Sequence, residues 1–194
     1  MKIIGICGKI GSGKSAAGVF LEELGGFVLD LDVEMHTLYA ESRELQQKIA
    51  ENFGAECVKN GFVDRVKLAS RVFQRLETLQ KLESIVYPLL QKSVEQKLEA
   101  AKKAGKVKIA AVEGALLFKW PEFSRNLDAI WVVEATDSVR LERLLKRGLT
   151  KEDAERRIQI QAQDPLPPNA KYFYLDNSGA ISALQKRVCE LAEI

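Results

Sequence analysis

An α/β fold, with a parallel five-stranded sheet sandwiched by helices, is predicted by three observations. The chain carries five short apolar runs, at 3–7, 27–29, 107–112, 130–133 and 172–175, unbroken apart from Lys108. Unbroken runs suit strands covered on both faces, as parallel strands are. Helical patterns separate these runs, and strand–helix alternation implies a parallel sheet. A glycine-rich segment joins the first run to the first helical pattern, which is where open α/β sheets place their ligands. Length and composition agree. The chain has 194 residues, enough for one domain with insertions. Lys and Arg number 29 against 27 Asp and Glu, a net charge of +2, so no strongly basic nucleic-acid surface is indicated. No apolar run approaches the roughly 20 residues that span a bilayer. The opening residues 1–7 are too short an apolar run, and too soon followed by glycines, to read as a signal peptide. Cys7, Cys57 and Cys189 form no C-x-x-C pair, which suits a reducing cytoplasm. A single histidine, His36, argues against a histidine metal site.

The elements follow in order. A helix over 15–24 carries Val19, Phe20 and Leu24 at helical spacing and stops at Gly25-Gly26. The second run ends in Asp30-Leu31-Asp32. A short helix over 33–39 starts there, with Asp32 suited to cap it. Helices are then expected over 41–53, 66–76, 78–85 and 88–104, the last opened by Pro88 as its first residue. Further helices are expected over 138–147, 151–163 and 181–191. Prolines at 165, 167 and 168 mark a turn running from Asp164 to Asn169. About 75 residues lie between the second and third runs, far more than one crossover needs. The excess, 33–82, reads as a helical insertion, and 139–164 as a helical lid. This leaves 1–32, 83–138 and 165–194 as the core.

The strongest chemical signal is Gly8-Lys9-Ile10-Gly11-Ser12-Gly13-Lys14-Ser15, which fits the P-loop pattern G-x-x-x-x-G-K-[ST] at every fixed position. Glycines allow backbone N–H groups to turn inward as an anion-binding nest, and the following helix aims its positive end at the same phosphates. Lys14 can reach the β- and γ-phosphates, and the Ser15 hydroxyl can ligate Mg²⁺. The motif by itself serves kinases, ATPases and GTPases alike.

Asp30 and Asp32 share one side of the sheet if the second strand continues. A carboxylate there can take the proton of a substrate hydroxyl during phosphoryl transfer; Asp32 as a helix cap is the other reading. Glu113 closes the third strand, the pattern of an acid that holds Mg²⁺ or water beside a P-loop. Arg140, Arg143 and Arg147 fall at i, i+3 and i+7, on one helical face, and Arg156, Arg157 and Gln161 follow. Arginines on a lid can grip phosphate oxygens and exclude water; a solvated helix face partnered by Glu142, Glu152 and Glu155 is the alternative. His36 lies four residues after Asp32, on the same helical face. Asn177 follows the last strand, beside a nucleotide base or simply in a turn. Trp120 and Trp131 read as core.

In this order the motifs resemble those of the dephospho-CoA kinase family, over nearly the whole chain. The resemblance rests on residues 5–15, on Asp30-Leu31-Asp32 with His36 and Leu38, and on Tyr87-Pro88-Leu89-Leu90. It continues through Glu113-Gly114-Ala115-Leu116-Leu117-Phe118, Arg143-Leu144-Leu145-Lys146-Arg147, Arg157-Ile158-Gln159-Ile160-Gln161 and Leu175-Asp176-Asn177-Ser178-Gly179. Tyr87, Ala115 and Lys119 stand where that family usually has His, Pro and an acid. The resemblance implies transfer of the γ-phosphoryl group of ATP to the ribose 3′-hydroxyl of dephospho-CoA, with Mg²⁺. It implies Asp32, Lys14, Arg143 and Arg147 as catalytic residues. Gly8, Lys9, Ile10, Gly11, Ser12, Gly13, Lys14, Ser15, Ala16, Arg143 and Asn177 would bind nucleotide. Asp32, His36, Tyr87, Leu116, Arg147, Arg157 and Gln161 would bind the acceptor, and Ser15 and Glu113 the metal. The insertion 33–82 would be the acceptor subdomain. The expected protein is a cytoplasmic monomer or small homo-oligomer with no nucleic-acid or membrane partner. Another P-loop kinase of small metabolites or nucleotides is the alternative. A guanine-nucleotide switch would require an N-K-x-D motif, which is absent.

Overall fold

The structure, a computed structural model, describes residues 1–72, 75–163, 165–169 and 171–193. The side chains of Lys119 and Gln163 also lie outside the description. The chain folds as two compact units, one of residues 1–31 with 101 onward, the other of residues 32–100.

The first unit holds a five-stranded sheet of β1 (Lys2–Cys7), β2 (Phe27–Asp30), β5 (Ile109–Glu113), β6 (Ala129–Glu134) and β7 (Tyr172–Asp176). Its order is β2-β5-β1-β6-β7, and every neighbouring pair is parallel. The expected five-stranded parallel sheet is therefore present, with strand ends within two residues of those expected. Chain order reverses at β1, which has the later strands β5 and β6 on its two sides. A crevice opens at such a switch point, beyond the carboxyl ends of the strands. The register gathers acids along that edge. Asp30 pairs with Glu113, Ile6 with Glu113, and Glu134 with Asp176.

One face of the sheet builds the main core. Ile4, Ile6, Ala111, Trp131, Val133 and Leu175 pack with Ala17 and Leu21 of α1 (Lys14–Glu23) and with Leu184, Val188 and Leu191 of α9 (Ile181–Ala192). Of the three apolar residues noted at helical spacing on α1, Phe20 packs against this core. Val19 and Leu24 are about half exposed, at 50% and 49%, whereas Ala17, Gly18 and Leu21 are buried. Small residues face inward because the helix lies close to its neighbours: a Cβ on Gly18 would stand 3.3 Å from Val28. Trp120 and Trp131 are buried, as expected.

The strand ending in Asp30 does not persist. Helix α2 (Leu31–Glu41) begins at the next residue, so Asp32 sits in the first helical turn with Glu34. Neither strand alternation nor a cap describes Asp32; its carboxylate lies instead at the positive end of a helix.

In the second unit, α3 (Arg43–Phe53) is capped by the Ser42 hydroxyl, which accepts the Leu45 N–H. A hairpin of β3 (Val58–Lys59) and β4 (Phe62–Val63) turns at Asn60-Gly61, both with positive φ. That dipeptide is a type I′ turn signal. Helix α4 spans Arg65–Val72, and residues 73 and 74 of the expected 66–76 helix lie outside the described residues. The largest correction concerns Pro88. It lies inside one continuous helix, α5 (Leu76–Ala104), not at the start of a second one. Leu82, Val86, Leu90, Val94 and Leu98 form an unbroken buried stripe at four-residue spacing. Packing along that stripe outweighs the one backbone hydrogen bond that proline removes.

In the first unit again, α7 (Asp137–Lys146) and α8 (Lys151–Ile160) precede a 3-10 turn over Gln161–Gln163. Leu144, Ala154 and Ile158 form a small separate core on which Ile10 of the glycine-rich loop packs.

Candidate active site

The loop 8–15 leaves β1 and enters α1 at the switch point. Gly11 and Gly13 adopt φ of 79° and 102°, in the left-handed region. A Cβ at Gly13 would lie 2.1 Å from the Asn177 Nδ2 atom, and one at Gly11 3.0 Å from the Arg140 carbonyl. Backbone strain and close approach both demand glycine at these two positions.

Side chains tie the outside of the loop. Arg143 Nη1 donates to the carbonyls of Gly11 and Ser12, at 3.2 and 3.1 Å, and its Nη2 donates to the Asn177 carbonyl at 2.8 Å. The Asn177 side-chain amide donates to the Ser12 carbonyl at 2.8 Å. Arg140 Nε donates to the Ile10 carbonyl, and Nη1 to Asp137. On the lid side, Gln161 Oε1 accepts the Ile10 N–H at 2.6 Å, and Lys9 Nζ donates to the Ala162 carbonyl. The expected arginine face is thereby divided. Arg140 is buried and Arg143 half-buried, both anchored to the loop, while Arg147 is exposed at the end of α7. Gln161, expected at the acceptor, accepts from the loop backbone, and Asn177, expected at the nucleotide, donates to it.

Where α1 begins, the Ser15 hydroxyl lies 3.3 Å from Glu113 Oε1, as a donor to that carboxylate. Glu113 is only 5% exposed. These are hard oxygen donors, the kind Mg²⁺ takes alongside phosphate oxygens and water. Among the described residues no cluster of three or more His, Cys, Asp or Glu could hold a metal by itself. The residues present thus fit a metal shared with a phosphate ligand. Behind them, burial pushes the Cys7 thiol up to about 12, so it stays protonated.

A cavity of about 150 Å³ opens beside the loop, lined by Gly8, Lys9, Ser12, Phe118, Arg140 and Leu166 among others. Ser12 Oγ and Arg140 Nη2 are buried there without a hydrogen-bond partner among the described residues. Leu116 is half-buried in the 3-10 turn Ala115–Lys119 that follows Glu113. Arg147 and Arg157 are exposed.

The remaining predicted residues belong to the second unit. Asp32 and His36 are exposed on α2, one turn apart. Tyr87 packs against that unit's core and donates to Glu83 at 2.8 Å; burial, then this bond, pushes its phenol up.

A glycine loop cradled at the switch point of a parallel sheet, followed by lysine and serine and backed by a buried acid, defines a P-loop nucleotide-binding protein. The comparisons with known proteins specify which kind. Residues 2–183 match the family model described as dephospho-CoA kinase. A dephospho-CoA kinase of Aquifex aeolicus is 36% identical over 100% of this chain and 97% of its own length. Among solved structures, TT1252 from Thermus thermophilus is 29% identical with a TM-score of 0.77, covering 100% of this chain and 97% of that one. A dephospho-CoA kinase from Campylobacter jejuni, at 20% identity and a TM-score of 0.67 over 100% and 96% of the two chains, shares the fold. The chain belongs to the dephospho-CoA kinase family, whose reaction is the ATP-dependent phosphorylation of dephospho-CoA, the last step of coenzyme A biosynthesis. It is therefore an enzyme, a phosphoryl transferase.

Proposed function

We propose that this enzyme divides the transfer among three groups of residues. The loop 8–16 binds the phosphate tail of ATP, with Lys14 set toward the β- and γ-phosphates. Asp32 accepts the proton of the ribose 3′-hydroxyl as its oxygen bonds to the γ-phosphorus and ADP leaves. Arg147 and Arg157, exposed on the lid helices, meet phosphate oxygens in the closed state and keep water out, since water would hydrolyse ATP. Ser15 and Glu113 would hold Mg²⁺, which when bound supplies positive charge to the phosphate oxygens. The observation that carries this reading is the Ser15–Glu113 pair beside the glycine cradle. A hydroxyl and a buried carboxylate converge there on the place where a metal-bound phosphate tail would end. His36, Tyr87 and Leu116 belong to the acceptor side, and the insertion 33–82, which carries His36, is the acceptor subdomain. A biosynthetic enzyme of this kind fits the cytoplasm, as a monomer or small homo-oligomer. No helix among the described residues is long and apolar enough to cross a membrane.

Asp32→Asn tests the central assignment. It keeps the shape of the side chain and removes its basicity. ATP binding, measured by calorimetry, should stay within about twofold, while kcat for dephospho-CoA falls by about 10²–10⁴. Normal turnover by this variant would sink the assignment.

A further inference from the structure

We infer that Arg143 and Asn177 are positioning residues that set the phosphate cradle from behind, without touching the phosphates themselves. The inference rests on the reading that the loop 8–16 holds the nucleotide's phosphate tail. A trans peptide is planar, and its C=O and the following N–H point in opposite directions. The loop carbonyls of Ile10, Gly11 and Ser12 all accept hydrogen bonds from side chains on its outer side: Arg140 on the first, Arg143 on the second, Arg143 and Asn177 on the third. Holding the Gly11 and Ser12 carbonyls outward by guanidinium and carboxamide directs the Ser12 and Gly13 N–H groups away from the clamp. Holding Ile10 likewise directs the Gly11 N–H. Ser12 N–H turns back to the Lys9 carbonyl, which closes the loop on itself. Gly11 and Gly13 remain as the amides aimed at the anion.

The clamp is a single connected piece. Arg143 reaches both the loop and the Asn177 carbonyl. The Asn177 N–H in turn donates to the Glu134 carbonyl at the end of β6. The loop is thereby referred to the rigid sheet rather than to its own flexible backbone. Asn177 is 2% exposed, and its Nδ2 occupies the space that a Cβ on Gly13 would need. The loop and the clamp thus fit each other atom for atom. A cradle formed before its ligand arrives binds with less ordering cost. A positive charge behind the loop also raises the potential that its amides present. Neither effect requires the arginine to reach a phosphate oxygen, and Arg143 has both terminal nitrogens engaged on backbone.

Three probes separate this role from direct contact: ATP, ADP and inorganic pyrophosphate, each titrated against the whole protein by calorimetry with Mg²⁺ present. The variants are Arg143→Lys and Asn177→Asp. Lysine keeps one charge but cannot bridge three carbonyls from a planar fork. Aspartate keeps the shape of Asn177 and loses the donor. The clamp predicts that all three probes weaken by the same factor, about tenfold, while KM for dephospho-CoA is unchanged. It also predicts that the double variant loses much less than the product of the two single losses. Loss confined to ATP would mean that Arg143 touches the γ-phosphate. Weakened ATP and ADP with pyrophosphate unaffected would mean that Asn177 reads the base. Either result, or no change in any probe, overturns the inference. Should Arg143→Lys fail to fold, Asn177→Asp alone decides by the same three affinities. Wild-type binding of ATP serves as the separate check on the underlying reading: if the unaltered protein binds none of the probes, that reading fails and not the clamp alone.

Discussion

Both units bury charged side chains, Glu34 in the second and Glu113 and Arg140 in the first, and Glu34 and Arg140 are satisfied very differently. In the second unit, Glu34 is 4% exposed and both its oxygens are occupied, by the Ser93 hydroxyl and the Lys97 ammonium, each at 2.5 Å. In the first unit, Arg140 is 3% exposed, yet one terminal nitrogen of its guanidinium has no hydrogen-bond partner among the described residues. A fully paired buried charge belongs to the architecture: it joins α2 to α5 and leaves nothing over for chemistry. An incompletely paired one beside a cavity and a glycine loop retains the capacity to meet something that is not protein. The contrast teaches that burial of charge does not by itself mark a site. The surplus of donors does.

The largest test of this contrast compares Arg140→Met with Lys97→Met. Both remove a cation and keep an apolar stem. Lys97→Met should lower unfolding free energy by about 2 kcal/mol, because it strips the counter-charge from a buried carboxylate whose remaining partner is a hydroxyl. Lys97 itself is half exposed, which keeps the figure below that of a fully buried pair. KM for ATP should remain within about twofold. Arg140→Met should instead raise KM for ATP by about tenfold, since the Ile10 carbonyl loses its donor and the cavity loses its charge. Chemical denaturation and steady-state kinetics on the two variants measure both quantities. If Lys97→Met disturbed ATP affinity as much as Arg140→Met, the distinction would collapse.

A smaller effect sharpens the same picture. Gln161→Ala removes the acceptor from the Ile10 N–H and detaches the lid turn from the loop at one of the two polar contacts between them among the described residues. The expected outcome is a several-fold rise in KM for ATP, equivalent to about 1 kcal/mol, with thermal stability nearly unchanged. An unaltered KM would show that the lid's contact with the loop contributes nothing to binding. The smallest effect concerns the cysteines. Cys7 and Cys57 are buried, and burial pushes both thiols up. At neutral pH in the folded protein, Cys189 should react first with a thiol reagent, and the other two only on unfolding, as followed by mass spectrometry. For Cys7 the sign is definite. The folded protein holds the proton that the unfolded chain releases near 9.0, so its contribution to stability is intact below that pH and is lost as pH rises toward about 12. Rapid labelling of Cys7 in the native state would contradict the depth of its burial.

Much of the first unit was legible because its determinants are local. Five apolar runs became the five strands, and the glycine loop sits between β1 and α1 as expected. The second unit was less legible. Proline is a strong local signal against helix, yet α5 runs through Pro88, because the residues from Leu82 to Leu98 form a continuous buried stripe. Asn60-Gly61 was a readable turn signal, but strands of two residues each carry almost no alternation to accompany it. For α1, helical spacing picks out Val19, Phe20 and Leu24, of which Phe20 packs against the core, while close helix packing also buries the small Ala17 and Gly18.

By itself, the order of residue types along the chain determined the phosphate loop, the parallel sheet and the acids at the strand ends, since each depends on neighbours a few positions away. Only the folded chain decided what stands behind the loop. Gln161 meets Ile10 across 151 residues and Asn177 meets Ser12 across 165. No periodicity or spacing encodes such encounters: a hydrogen bond depends on distance and angle in space, and these exist only once the sheet has brought its strand ends together.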